Sequence, residues 1–578
     1  MDLQEIKQTP IWELYEKGRD YHWQTGIYPD TDRNYRMYNG NQWDGAKLGG
    51  VEPIQTNFIK PIVDYKVSVV HDNLYAVIFS SQNHESTSFA RAAERYCDML
   101  NGYARRIWER DKMDFKGRRI TKDSAINSEG IIYVYFDKKK MYPVNEVVKK
   151  NDIYYGNEND DDIQSQPYIL IRKRMPVSNA IDMALSEGLS KNKTDYIIGD
   201  NDTFEESGEA AKIELDNMVT VVYKMYKKDG TVHYSSSTRW VDIEKDVDLG
   251  ISLYPVAHLT WEEKEGSARG EGEVKYLIPN QIEVNKIAMR RAVSARSQAF
   301  PITVVDKKRI ANPDALNTVG GVINTNGQPV DDIHKVVGVI PPSQMSQDVK
   351  QLYEDLIHVS RELAGAGDVT TGSVNPEDAS GRAILAVQEA SRAPLAEKKE
   401  NYKKFVEDLA QIWLEYLIVH SAGGVNLEEQ VTDPYTNQQT VRMVNVSQAV
   451  LKKLQASVKI DITPKSAYDR FAQERTLENL LTGGLLASQR LPELKAYAEA
   501  LPDDSVSPKQ KILEIISNIE ERQLKIAKLK MEAQMMMQRT RQFLMGDLQN
   551  QSEQYAQAEA AVQEAGQISQ SGEGSLAM

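Results

Sequence analysis

The residues of this 578-residue chain that could do chemistry are few and scattered. Asp200-Asn201-Asp202 begins like a calcium loop, where alternating oxygen ligands wrap a hard cation. The glycine required at the sixth position and the later bidentate glutamate are both missing. Glu158-Asn159-Asp160-Asp161-Asp162 has the charge to hold a cation, yet such a run reads first as a solvated surface loop. The eight histidines are dispersed, and His358 and His420 fall in helical patterns as structural residues. No Cys/His pairing has zinc spacing, and neither H-E-x-x-H nor a G-x-x-x-x-G-K-[ST] phosphate loop occurs. The single cysteine, Cys97, excludes an intrachain disulfide framework, agrees with a reducing compartment and reads as a buried small hydrophobe. The sequence therefore assigns no catalytic residue, no metal and no cofactor.

The informative pattern is one of elements, in residues 266–420. Gly266-Ser267-Ala268-Arg269-Gly270-Glu271-Gly272 reads as a flexible lead-in, and Pro279 fits a first helical turn, where its missing N–H would be unpaired anyway. A helix is predicted from about Pro279 to Gln298, with Ile282, Met289 and Val293 on one stripe and Lys286 and Arg290 one turn apart on another. Pro301 ends it. Three short β segments follow, at Ile302, Val304 and Val305, at Val319, Val322 and Ile323, and at Val336, Val337, Val339 and Ile340. After Pro341-Pro342, the residues Met345, Val349, Leu352, Leu356, Val359 and Leu363 recur at spacings of four and three, which predicts a helix with one apolar seam. The next stretch, 365–374, is rich in glycine and small polar residues and has almost nothing to bury, so it reads as a mobile or externally held loop. Asn375-Pro376-Glu377-Asp378 then starts a long helix that bends at Pro394 and carries Phe405, Leu409, Ile412 and Tyr416 on one face.

Whole-chain properties bound the function. The balance of 41% hydrophobic and 27% charged residues is that of a globular protein. No run approaches the roughly 20 apolar residues of a membrane helix, and no signal peptide is evident, so a soluble protein made in a cytoplasm is expected. A net charge of −14 argues against gripping nucleic acid over a broad surface, though not against letting it slide past. Residues 1–130 read as mostly helical, with Tyr38-Asn39-Gly40-Asn41-Gln42-Trp43 as a turn and a helix opening after Asn57. Strands are predicted at Ile131–Phe136, Tyr168–Ile171, Val219–Tyr226 and Trp240–Ile243, with Asp229-Gly230 as a hairpin turn. A β-rich piece follows Gly423-Gly424, helices resume at Ser466, and the end from Gln549 is a polar tail.

These landmarks resemble those of tailed-bacteriophage portal proteins over about residues 35–470. Tyr38–Trp43 followed by Asn57 is similar to the N-terminal wing pattern of that family. Gly270-Glu271-Gly272, Leu277-Ile278-Pro279-Asn280-Gln281 and Asn285 are similar to its approach to the first stem helix, and Pro376-Glu377 with Ala379-Ser380-Gly381-Arg382-Ala383-Ile384 to its helix after the tunnel loop. The resemblance implies an α+β, mainly helical fold with wing, stem, clip and crown that assembles into a ring. Its divisions would be 1–265 wing, 266–299 first stem helix, 300–342 clip, 343–364 second stem helix and 365–375 tunnel loop. They continue as 376–422 long wing helix, 423–465 wing β segment, 466–548 crown and 549–578 tail. It further implies a non-enzymatic, dodecameric channel for double-stranded DNA at one capsid vertex of the virion. The implied partners are the terminase large subunit, head-completion or tail adaptor proteins, and the major capsid and scaffolding proteins, with no membrane involved.

On that resemblance Asp368, Thr370, Thr371 and Ser373 would face DNA, as short polar groups that touch a backbone without reading bases. Lys286, Arg290, Arg291 and Arg296 fit either a basic band on the channel or ion pairs to Asp348, Glu354, Asp355 and Glu362 of the second stem helix. The pairs are the preferred reading. Lys307, Lys308 and Arg309 fit a docking patch in the clip or a solvated turn. Met345, Val349, Leu352, Leu356, Val359 and Leu363 form the seam between helices or subunits. Two other classes are compatible with the sequence: a metal-dependent nucleic-acid processing enzyme, and a coiled-coil scaffold or adaptor suggested by residues 508–565 alone.

Overall fold

The computed structural model of the chain describes residues 7–43, 52–71, 73–81, 87–137, 140–200, 217–299, 302–317, 322–326, 332, 334, 336–340, 346–365, 393–432, 439–454, 456–464, 525–526 and 528–536. The chain divides into two compact units, Met1–Thr463 and Pro464–Met578. In the second, the described residues are helical and Ala533 is buried. The rest of the expected crown and the tail lie outside the described residues.

The first unit opens with helices α1 (Pro10–Gln24), α2 (Ile27–Asn39) and α3 (Ile59–Val70). Thr9 caps α1 by accepting from the Trp12 N–H, and Pro10 occupies the first turn. Strand β1 (Asn73–Ser81), which the sequence did not suggest, precedes α4 (Thr87–Arg110) and α5 (Met113–Asn127). There follow β2 (Glu129–Asp137), β3 (Tyr142–Val148), β4 (Ile153–Tyr155), β5 (Ile169–Pro176), α6 (Val177–Ser186), α7 (Lys191–Thr194), β6 (Met218–Lys228), β7 (Thr231–Ser237), β8 (Asp242–Asp248) and β9 (Val256–Thr260). They form a three-stranded sheet in the order β3-β2-β9 and a five-stranded sheet in the order β4-β5-β6-β7-β8. Asp229 and Gly230 close the β6–β7 hairpin with φ of 53° and 87°, the left-handed pair that a two-residue turn of this hand needs. The strand expected at Trp240–Ile243 begins two residues later, at Asp242.

Next come α8 (Glu273–Ala299), β10 (Ile302–Val305), β11 (Val337–Ile340), α9 (Gln347–Leu363) and α10 (Ala396–His420). The unit closes with β12 (Val425–Thr432), β13 (Gln439–Val446), α11 (Gln448–Leu454) and β14 (Ala456–Pro464), the last paired with β1. α10 packs one face into the main hydrophobic core. Phe405, Leu409, Ile412 and Tyr416 are buried on it as the periodicity required. Its Trp413 Nε1 donates to Asn145 Oδ1 on β3 at 2.8 Å and its Tyr416 hydroxyl to the Val134 carbonyl on β2 at 3.2 Å. A 3-10 turn at Ala393–Leu395 stands where the bend at Pro394 was expected.

Two expectations about the stem and clip are corrected. α8 starts at Glu273, so Pro279 lies inside the helix, at the loss of one backbone bond to the preceding turn. In the segment expected as a clip, β10 and β11 pair antiparallel from Ile302↔Ile340 to Val305↔Val337, but Val322 and Ile323 are not in a strand. Among the described residues that part is held by an isolated bridge between Ile310 and Thr325 and by Asn312, whose side chain bonds the backbone of Val322 and Asn324. Val319 lies outside the described residues.

Candidate functional site: an antiparallel helix pair and its anchor

α8 and α9 run antiparallel. Asn280 donates to Ser360 Oγ at 2.9 Å, and the Arg291 guanidinium lies 5.2 Å from the Tyr353 ring, so numbers rise on one helix as they fall on the other. With 27 and 17 residues the helices are about 40 and 26 Å long. α9 turns Tyr353, Leu356, Ile357 and Ser360 inward. The apolar seam divides there: Leu356 packs against the core, whereas Leu352, Val359 and Leu363 are 50%, 46% and 80% exposed. Met345 is outside the described residues, and Val349 is half-buried. The α8 stripe divides in the same way, with Met289 buried and Ile282 and Val293 exposed.

The inner face of α8 is partly polar. Gln281 and Asn285, one turn apart, are buried, and each serves the extended segment before α3. Gln281 accepts from the Phe58 N–H at 3.0 Å and donates to the Thr56 carbonyl at 2.7 Å, while Asn285 accepts from the Thr56 N–H at 3.2 Å. Asn285 also donates to Gln42 at 2.5 Å, Asn57 donates to the Tyr38 carbonyl at 2.9 Å, and Trp43 to the Ile54 carbonyl at 3.0 Å. The N-terminal and stem landmarks, more than 220 residues apart, thus form one hydrogen-bonded buckle, because an extended backbone buried against a helix must find side-chain partners for its polar groups.

Below the stem, the lead-in 266–272 is not the flexible joint its glycines suggested. A Cβ on Gly270 would lie 2.1 Å from Thr260 Cγ2 and 2.2 Å from the Glu262 carbonyl, and one on Gly272 would lie 2.8 Å from the Ser128 nitrogen. These glycines serve close backbone approach. Between them and α1, Arg269 is 6% exposed and spends its whole fork. It donates to Glu129 Oε1 at 2.5 Å, to Glu158 at 2.8 and 3.0 Å, to the Ile153 carbonyl at 2.9 Å and to His22 Nε2 at 3.0 Å. Since a guanidinium only donates, His22 presents a bare Nε2 and is neutral. Burial, then the adjacent Arg269, holds its pKa down at about 4. Burial alone would raise Glu129 and Glu158. Arg269 outweighs it and holds both carboxyls below their usual range, helped by His258 at Glu129. Lys150, which donates to the Asn127 carbonyl and Ser128, is pushed down to about 8 by burial, opposed by Glu129. The sequence offered no signal for this cluster beyond the run 158–162, from which it takes Glu158 inward. Asp161 and Asp162 stay exposed as expected and line a cavity of about 600 Å³ with Glu263, Glu265, His258 and Asp408.

The remaining candidates are placed as follows. Lys286 pairs with Glu283 on its own helix at 2.6 Å, not with α9. Arg291 reaches α9 through the Tyr353 ring, and Arg290 and Arg296 are exposed. Of the acids expected as partners, Glu354 pairs with Lys350 and Glu362 with His358 on their own helix, and Asp348 accepts from the Ser346 hydroxyl at 2.9 Å. Lys307, Lys308 and Arg309 form an exposed turn capped by Asp306, which accepts from the Lys308 N–H at 3.0 Å. Asp368, Thr370, Thr371 and Ser373 lie outside the described residues, as does the start of the following helix. Asp200 is a structural acid, bonded to Arg174 at 2.5 Å and to the Thr220 N–H at 2.8 Å. His420 stacks on Phe136 at 3.8 Å, and Cys97 is buried, its thiol pushed up to about 11 by that burial. Among the described residues no three His, Cys, Asp or Glu side chains are grouped to hold a metal, and no helix is long and apolar enough to cross a membrane.

Residues 15–568 match a protein family described as Phage P22-like portal protein. No curated protein matches the sequence.

Proposed function

The chain belongs to the P22-like phage portal protein family, whose match spans nearly its whole length, and from that membership we propose that it forms a dodecameric ring at one capsid vertex. In this reading the ring is the channel through which double-stranded DNA is packaged and later ejected. α8 and α9 make the channel wall, the β10–β11 hairpin with its Lys307–Arg309 turn makes the docking end, and 365–375 is the loop nearest the DNA. Partners would be the terminase large subunit at the docking end, then head-completion or tail adaptor proteins, with major capsid and scaffolding proteins around the wing.

One observation carries this reading. The two helices turn their inner faces to each other, to the segment before α3 and to the core, and leave Leu352, Val359, Leu363, Ile282 and Val293 exposed along their length. Each fully covered aliphatic side chain is worth roughly 1.5–3 kcal/mol, and a heterologous contact whose rotation closes into a ring covers the same faces on every copy. Lys286 engaged by Glu283 suits a wall that must not hold a moving polyanion tightly. The test is native mass combined with class-averaged electron micrographs down the particle axis. Rings of twelve are expected, and a near-monomer at high concentration would sink the proposal. The enzymatic and scaffold alternatives gain no observation from the geometry.

A further inference from the structure

One strongly charged surface has no role in the channel reading. Between Tyr103 and Lys122 the chain carries eight Lys and Arg against three acids, while the whole chain has 70 against 84. The stretch covers the end of α4 and most of α5. α5 buries Met113, Gly117, Ile120, Thr121 and Ser124. Helical spacing then turns Phe115, Arg118 and Arg119 outward, with Lys112 at the N-cap. Phe115 is 73% exposed, the three cations beside it are exposed, and Asp114 is the acid among them. Neighbouring cations are engaged: Lys116 donates to the Asn145 carbonyl at 2.6 Å, Lys122 pairs with Asp64 at 3.3 Å, and Arg110 lies 3.3 Å over the Tyr142 ring. The side chains of Lys112 and Arg118 have no ion pair or hydrogen bond among the described residues, and Arg119 acts at a distance on Asp123 and Tyr35.

We propose that this face of α5 binds the phosphate backbone of double-stranded DNA outside the channel, through Lys112, Arg118 and Arg119, with Phe115 as an apolar contact against the sugar edge. The ligand rests on the portal reading; the surface does not. From Lys112 to Arg119 the helix advances about 10 Å, over which a duplex presents about six phosphate charges, so all three cations can neutralise phosphates at once. An exposed phenylalanine between them adds a contact that salt does not screen, which a purely ionic surface would lack.

The experiment measures binding of the assembled full chain to a covalently closed circular duplex, which has no end to thread into a ring. Wild type should bind with a salt slope of about −3, one released counterion per contact. Arg118→Glu with Arg119→Glu should weaken binding at least tenfold in about 0.1 M salt and flatten the slope by about two. Arg118→Gln with Arg119→Gln should show a smaller loss in the same direction, which guards against a misfolded reversal variant. Phe115→Ala should weaken binding with the slope unchanged. Ring mass should be the same in all. Equal binding by wild type and both double variants would overturn the inference, as would binding confined to linear DNA, a result that leaves the channel intact. Loss of rings in the glutamine variant would make the face a contact between copies, and selective capture of an acidic peptide in place of the circle would assign it to protein. A protein that never leaves the monomer would instead defeat the portal reading.

Discussion

Arg269 shows how much one buried cation can decide. It neutralises Glu129 and Glu158 in a buried site, so Arg269→Ala would take the main counter-charge from two carboxylates. A loss on the order of 3–5 kcal/mol is expected in chemical denaturation. Arg269→Lys should recover only part, because an ammonium cannot span Glu129, Glu158, the Ile153 carbonyl and His22 together. His22 gives the same cluster a pH dependence of fixed sign. Its folded pKa of about 4 lies below the ordinary value of 6.5, so the unfolded chain binds the extra proton. Its contribution is complete above about 6.5 and declines by about 1.4 kcal/mol per pH unit as the pH falls towards 4. Glu129 and Glu158, both held low, lose stability in the same acid direction at lower pH. Calorimetric melting across pH 7 to 4 should show a falling midpoint that is shallower in His22→Gln; a midpoint rising with acid would contradict the assigned neutral state.

At the scale of elements, the stem seam separates two kinds of contact that the periodicity alone had merged. Leu356 packs inside its own chain, so Leu356→Asp should lower the melting temperature of the folded chain itself by placing an unpaired charge in a packed site. Leu363 is 80% exposed, so Leu363→Asp should keep the monomer's melting behaviour and shift the native mass away from the ring. The reverse pattern would mean that the outward face of α9 meets water. The Gln281–Asn285 buckle makes a separate prediction. Gln281→Leu strands the Phe58 N–H and Thr56 carbonyl at about 1–3 kcal/mol, and faster hydrogen exchange should appear first in 54–58.

For the whole molecule, the family match and the exposed stem faces point to assembly as the state in which this chain is complete. Shortening 365–374 should then leave ring mass unchanged while reducing packaged or retained DNA. Rings that fail to form would make the loop a structural tie.

What the sequence determined by itself was the order of elements, since local periodicity, prolines and turn residues act within a few positions. It was enough for the long α10 face from Phe405 to Tyr416, the Asp229-Gly230 hairpin, the first and last of the three short β segments after Pro301 and the family resemblance that the match over 15–568 bears out. Tertiary structure alone decided which side of each element is covered. Glycines at 270 and 272 looked like freedom and proved to be close contact, Glu158 looked solvated and proved to be paired, and the seam of α9 proved to have two fates. The reason is physical: a residue's type fixes what it can bond or bury, but its partners come from segments more than 100 residues away, and only the folded chain brings His22, Glu129, Glu158 and Arg269 into one site.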